Sequence, residues 1–357
     1  MSPLWQACAE EAIAHETPWP RDPRAVPGPG QSPFGVHQGE AAPYNLVRGP
    51  LHVRAGVSGC VWQRGREVAA WGDATRAEQT FSVAKTCLAL LAGVAHQRGL
   101  LPDVDAKVGS QLPGIGFDSA HNLGVSWRHL LEQTSEWEGL SFGLPDQVER
   151  WRVVAHDPRP AGGPKGGARP LQAPGSYWEY NDVRINQLAL ALLYLFRQPL
   201  PQVFEEAVMR PLGASDGWQW EGYDDAWVDL AGRRMQSVPG GTHWGAGLRI
   251  SARDLMLLGQ LMLQLGRWGA QQLVPQSWAQ QMQQPTPQAA FYGWLMWLNP
   301  GSMPFPGASA RSSFMVGAGG HMVWVEPEFD AVVVVRWLNA THLVSFMQGA
   351  QRALAAG

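Results

Sequence analysis

Ser82 and Lys85 stand three residues apart at the head of an apolar run that opens Thr80-Phe81-Ser82-Val83-Ala84-Lys85, continues to Val94 and is closed by Arg98-Gly99. On a helix of 3.6 residues per turn, positions i and i+3 share a face, so the hydroxyl and the amine come within hydrogen-bond reach. That spacing suits a nucleophile and its base. The neighbours Phe81, Val83, Ala84, Cys87, Leu88, Leu90 and Leu91 are apolar almost all round, the composition of a helix inside a core. Burial disfavours an ammonium, and the positive end of the helix dipole disfavours it further, so Lys85 could take the Ser82 proton. The same residues admit a structural reading. A serine at a helix start commonly caps it, and a lysine beside an apolar helix commonly extends its amine to water.

The chain that must position this pair has 357 residues, enough for one large domain or two around a sizeable core. Its formal charge of −3 comes without a basic stripe, which argues against nucleic acid as a partner. Met1 to Arg24 holds no apolar stretch long enough for a signal peptide or a membrane span, so a cytoplasmic protein without a membrane partner is expected. Cys8, Cys60 and Cys87 are odd in number and far apart, offering neither a disulfide framework nor a metal pair. Eighteen tryptophans is a high count, and Trp137, Trp178, Trp218, Trp220 and Trp244 sit in loop-like contexts. Most must serve packing, while indoles around a cleft would favour a bulky apolar substrate.

Strand patterns lie at both ends. Leu51 to Gln63 and Glu67 to Trp71 read as a hairpin through Arg64-Gly65-Arg66, and Gly320 to Val325 and Ala331 to Trp337 as a second. Helical spacing marks Leu4 to His15, Trp127 to Glu132, Ile185 to Phe196, Gln202 to Met209, Asp254 to Leu265 behind Ser251, and Val344 to Ala355. Pro158 to Pro174 reads as an exposed loop; its Gly162-Gly163-Pro164-Lys165-Gly166-Gly167 lacks the spacing of a phosphate loop. The expected fold is α/β of the α+β type: an antiparallel sheet flanked by helices, a mainly helical second region, and an active site between them. Residues 1–80 and 245–357 would form the sheet region and 81–244 the helical one.

Two further segments join the opening pair. Pro174-Gly175-Ser176-Tyr177-Trp178-Glu179-Tyr180-Asn181-Asp182 leads into a helix, and Gly317-Ala318-Gly319-Gly320 precedes the strand at His321. In this order and spacing the chain resembles the serine β-lactamase and penicillin-binding-protein superfamily, closest to class C β-lactamases and their esterase and amidase relatives. The resemblance runs from about Leu51 onward and includes Val125 to Ser135, Pro211-Leu212-Gly213, Gly245 to Ser251, and Tyr292-Gly293-Trp294 within an expected tryptophan-rich strand. It implies Ser82 as the acylated nucleophile, Lys85 as its base, and Tyr180 as the phenol that shares the proton with the lysine and passes it to the leaving group. It also implies an oxyanion hole from the backbone N–H groups of Ser82 and Ala318, with Gly317 lying against the substrate.

The departures bear on substrate. Met315 and Val316 stand where the family carries Lys or His and then Thr or Ser, so the cation that binds the carboxylate of β-lactams and D-alanyl peptides is missing. Asp182 stands where the family often has asparagine; it would either hold Lys85 as an ammonium or meet a substrate amine. His243, in Gly240-Gly241-Thr242-His243-Trp244-Gly245, either lines the cleft or is structural. The expectation is a cofactor-free, metal-free serine hydrolase acting on a small ester or amide, a carboxylesterase or amidase with an apolar pocket. The alternatives are a β-lactam or D-amino-acid peptide hydrolase that recruits Arg249 or Arg311 as its cation, and a catalytically idle binding module, for which a Lys85–Asp182 salt bridge together with an unreactive serine would speak.

Overall fold

The computed structural model describes residues 1–35, 37–152 and 163–357. Its centre is a six-stranded antiparallel sheet in the order Trp297–Leu298, Ser313–Gly317, His321–Glu326, Ala331–Arg336, Ser58–Gln63, Arg66–Trp71. The continuous apolar run Val332 to Val335 lies inside the sheet and is buried on both faces, as its lack of alternation requires. Two segments more than 230 residues apart in sequence meet where Val61 pairs with Val333, so the two ends of the chain close one core.

Cross-strand partners share a face, which assigns the layers. Val332 pairs with Trp62 and lies under the helix Ala252–Leu263, where a Cβ on Gly259 would come within 2.4 Å of Val332. The opposite face, carrying Gly59, Val61 and Gln63, meets the C-terminal helix Leu343–Ala355: Gln63 Nε2 donates to the Leu354 carbonyl, and Trp71 packs on Phe346. The N-terminal helix Pro3–Ala14, capped by Ser2, packs beside that last helix. In the first hairpin Gln63 pairs directly with Arg66, leaving a two-residue turn at Arg64 (φ 47°) and Gly65 (φ 85°), the positive dihedrals that suit the strands' twist.

The helix Val83–Gln97 runs through the interior, with Val83 to Ala95 all buried between the sheet and the helix Asp182–Phe196. A second sheet of Glu78–Gln79, Gly247–Ile250 and Gln219–Glu221 leads into it.

Some local expectations shift. The first long strand begins at Ser58 instead of Leu51, and the helix expected from Ile185 begins one turn earlier, at Asp182. The stretch Gln202 to Met209 is an α-helix, Leu200–Phe204, followed by a wider π turn, Glu205–Met209. Tyr292-Gly293-Trp294 is a tight reversal and not a strand. Leu295 takes φ 52°, Gly293 N–H donates to the Met296 carbonyl at 2.8 Å, and Tyr292 bridges to Trp297. Trp137, Trp178, Trp220 and Trp244 are buried, so packing accounts for them. Of the expected loop at Pro158 to Pro174, residues 158–162 lie outside the described residues; 163–174 are irregular and half-buried to exposed. No helix among the described residues is long and apolar enough to cross a membrane.

Candidate active site

Ser82 is held by the chain just before it. Gln79 pairs with Arg249, and Thr80 N–H donates to the Leu248 carbonyl at 2.9 Å. Buried Arg336 donates to the carbonyls of Glu78 at 2.8 Å and Gln79 at 2.9 Å, tying this short strand to the main sheet. Phe81 adopts φ 52°, a conformation that costs on the order of 1–3 kcal/mol and persists only where packing fixes it. Its ring is enclosed by Trp19 (centroids 5.4 Å apart), His321 (5.7 Å) and Trp337 (6.1 Å). The following turn is tight: the N–H groups of Val83, Ala84 and Lys85 bond back three residues to Thr80, Phe81 and Ser82. Ser82 therefore occupies the cap position without using its side chain as a cap.

That hydroxyl accepts from Lys85 Nζ at 2.9 Å. Lys85 Nζ also lies within hydrogen-bond distance of Asp182 Oδ1 and, at 3.2 Å, of the Gly240 carbonyl, so three acceptors face this nitrogen. Lys85 does not extend to water; it is 1 % exposed. Burial pushes it below the ordinary lysine value, Asp182 opposes that shift, and the nearby Arg152 guanidinium reinforces it. Burial likewise pushes the Tyr180 phenol up, and Asp182 adds to this, while a hydrogen bond with Ser82 works the other way. The Tyr180 ring centroid is 4.8 Å from Lys85 Nζ. Behind the ring stand Trp297 (centroids 5.5 Å apart), Tyr292 (6.2 Å) and then Trp178, which exclude water from the phenol's apolar side.

Tyr180 is set by the cap of the helix Asp182–Phe196. Asn181 Oδ1 accepts from the N–H groups of Val183 and Arg184, and Asn181 N–H donates to Gln133 Oε1 at 2.6 Å. Asp182 follows in the first helical turn, where the helix dipole favours a carboxylate. Burial would raise its pKa, yet Lys85, Arg152 and His243 hold it well below the usual carboxylate range.

Sequence reasoning missed three of the groups around Asp182. Arg152 Nη1 donates to Asp182 Oδ2 at 2.9 Å and to Glu149 Oε2 at 2.6 Å, with its guanidinium carbon 5.6 Å from the Tyr180 ring centroid. Glu149 is fully buried and lies at about 2, because Arg152 and His243 outweigh the effect of burial. Glu40 closes the far end, bound to His243 and to Lys165. The one sequence signal was the spacing of Glu149 and Arg152, three residues apart in Val148-Glu149-Arg150-Trp151-Arg152.

His243 is buried and does not line open space. Its Nδ1 faces Glu149 Oε1 at 2.8 Å and Asp182 Oδ2 at 3.2 Å, its Nε2 faces Glu40 Oε1 at 2.9 Å, and its ring stacks on Trp244. Although burial disfavours the charge, these carboxylates push it up to about 9, so at neutral pH it is an imidazolium. Glu40, Glu149 and His243 lie close enough to be read as a metal-ligand set. Both ring nitrogens face carboxylate oxygens, so the three side chains are joined as an ion-pair network.

On the other side of Ser82, Gly317 ends its strand against the nucleophile's turn. A Cβ there would lie 2.3 Å from the Thr80 carbonyl oxygen and 3.3 Å from Phe81 Cβ, so only glycine permits this approach. Gly317 pairs with His321 across Ala318-Gly319-Gly320, which places Ala318 in the connecting turn. Met315 sits two residues earlier on the same strand face and is 1 % exposed, an apolar group where the resemblance implied a cation. Arg249 pairs with Gln219 in the small sheet, and Arg311 is exposed ahead of the strand Ser313–Gly317. The arginine beside Tyr180 is Arg152.

A family model described as Beta-lactamase matches residues 45–357. Among solved structures, EstCE1, a hydrolase with promiscuous acyltransferase activity, is 18% identical over 98% of this chain and 97% of its own, with a TM-score of 0.61. A D-stereospecific amidohydrolase from Streptomyces sp. is 15% identical over 96% of each chain, with a TM-score of 0.56. A β-lactamase from Mycobacterium bovis is 18% identical over 84% of this chain and 94% of its own, with a TM-score of 0.58. At these identities the likeness concerns the fold. No curated protein matches the sequence. The family match over most of the chain, on a fold that sets Ser82 and Lys85 at the head of a buried helix beside a glycine-ended strand, shows that this protein belongs to the β-lactamase family of serine hydrolases.

Proposed function

We propose that the protein hydrolyses small esters or amides through an acyl-enzyme on Ser82. Ser82 Oγ attacks the carbonyl carbon while its proton passes to Lys85 in its amine form. The N–H groups of Ser82 and Ala318 hold the oxyanion, Tyr180 and Lys85 deliver the proton to the leaving group, and water then releases the acyl group. The observation that carries this reading is the 2.9 Å contact between Lys85 Nζ and a serine hydroxyl relieved of capping duty, in a site that keeps both groups out of water. Met315 in place of a cation favours a carboxylesterase or amidase over a β-lactam or D-amino-acid peptide hydrolase.

Turnover of a chromogenic short-chain ester by the wild-type protein, abolished in Ser82→Ala, is the expected result; turnover retained in that variant overturns the reading. Efficient nitrocefin hydrolysis would move the substrate assignment to β-lactams. One observation favours a second reading: the ion pair between Lys85 and Asp182 is the contact that an idle binding module of this fold would retain. That reading requires wild-type protein inert toward every serine-directed probe.

A further inference from the structure

With Lys165 counted at the solvent edge of the cluster, the charged groups around Lys85 balance when the lysine is an amine. Facing it or its partner Asp182 are Ser82 from its own helix, Tyr180 and Asp182 from the start of the next, Arg152 and Glu149 from the segment between, and His243 from the loop after Gly240. Glu40 and Lys165 lie behind His243, and the buried phenols of Tyr223 and Tyr292 stand nearby as neutral groups. Asp182, Glu149 and Glu40 supply three carboxylates; Arg152, His243 and Lys165 supply three cations. A proton on Lys85 is then one charge in excess, in a place where burial penalises it.

Asp182 alone would fix Lys85 as an ammonium and make it a poor base. Its two oxygens are used differently. Oδ1 takes Lys85, while Oδ2 takes Arg152 at 2.9 Å and His243 at 3.2 Å. We infer that Arg152 is a positioning residue for the reaction: by holding Oδ2 it divides the Asp182 carboxylate and supplies the positive charge that lets Lys85 work as an amine. Arg152 acts through Asp182 and Lys85, without contact with the reacting atoms. In the reaction Lys85 takes the proton as the Ser82 O–H bond breaks, and Nζ becomes the cation. The inference rests on the acyl-enzyme reading.

The test is the pH dependence of kcat/KM on an uncharged chromogenic ester. Activity rises with pH as Lys85 loses its proton. Arg152→Gln removes a positive neighbour, raises the Lys85 pKa, and shifts this acidic limb upward by about one to three pH units. Arg152→Lys keeps the charge and restores most of the original limb. Asp182→Asn shifts the limb downward, and the double variant Arg152→Gln/Asp182→Asn returns it toward the wild-type position, because two cations then face two carboxylates. A limb unmoved in Arg152→Gln with only KM raised would mean that Arg152 binds substrate, and overturns the inference. Should Arg152→Gln fail to fold, Asp182→Asn decides: an unmoved or upward-shifted limb in that variant overturns the charge account. Labelling of Ser82 by a phosphonate at the pH plateau is read separately in each variant. Its loss in the wild type would instead sink the acyl-enzyme reading.

Discussion

In the proposed mechanism Ser82, Lys85 and Tyr180 divide the proton chemistry among groups that each have another reason to be where they are. Ser82 is free because the tight turn after Phe81 satisfies the first helical N–H groups without its side chain. Tyr180 is pinned by the Asn181 cap and the indole of Trp297, so Tyr180→Phe removes one hydroxyl from an otherwise fixed ring. We expect that change to lower kcat by about 10²- to 10⁴-fold with KM little altered, measured by steady-state ester hydrolysis. A kcat within threefold of wild type would remove the phenol from the proton path. The Ser82 and Lys85 pair was legible in the sequence as a local feature of one helix start, and Tyr180 only through the family resemblance. Arg152 and Glu149 left only their own three-residue spacing and Glu40 left nothing, since the ion pairs that tie them to Asp182 and His243 span 30 to more than 200 residues. His243 was noticed for its loop; its state follows from three carboxylates that only the fold brings to it.

At the scale of elements, two contacts fix where the nucleophile sits. Gly317 lets its strand touch the Thr80 carbonyl, and Arg336 holds the carbonyls of Glu78 and Gln79. Gly317→Ala must push the strand off the Ser82 turn. We predict more than tenfold loss of kcat/KM with a stability cost of about 1–3 kcal/mol, read by ester turnover alongside urea unfolding. Normal kinetics in that variant would show that the strand does not serve the site. Arg336→Met leaves buried carbonyls without donors and should lower unfolding free energy by on the order of 3 kcal/mol. The hairpins and long helices were legible from alternation and apolar spacing. The reversal at Tyr292-Gly293-Trp294 looked like a strand because its aromatic residues are strand formers, and only the positive φ at Leu295 and the contact with Trp297 turn the chain back.

Across the whole molecule, the sheet built from both chain ends and the buried ion network make stability depend on pH in a definite sense. His243 is raised from 6.5 to about 9 in the folded state, so its contribution is complete below about 6.5 and lost as pH rises through 9. Glu149 is lowered from 4.5 to about 2, so its contribution is present above 4.5 and lost as pH falls toward 2. Lys85, pushed down by burial, contributes with the opposite sign on the alkaline side. Comparing the wild type with His243→Asn isolates the first of these. Between pH 6.5 and 9 the wild type should lose on the order of 3 kcal/mol more than the variant, measured by urea unfolding at fixed ionic strength. Equal slopes would mean that His243 is not an imidazolium in the folded protein. The overall α+β class was legible because strand patterns lay at both chain ends, whereas the depth of the charge network was not, because it depends on where the loops fold back. The most direct test of the central claim is covalent. Treated with a fluorophosphonate, the protein should gain one adduct by intact mass, mapped by peptide sequencing to Ser82, and Lys85→Met should slow its formation at least a hundredfold. An adduct on another serine, or none at all, would contradict the account.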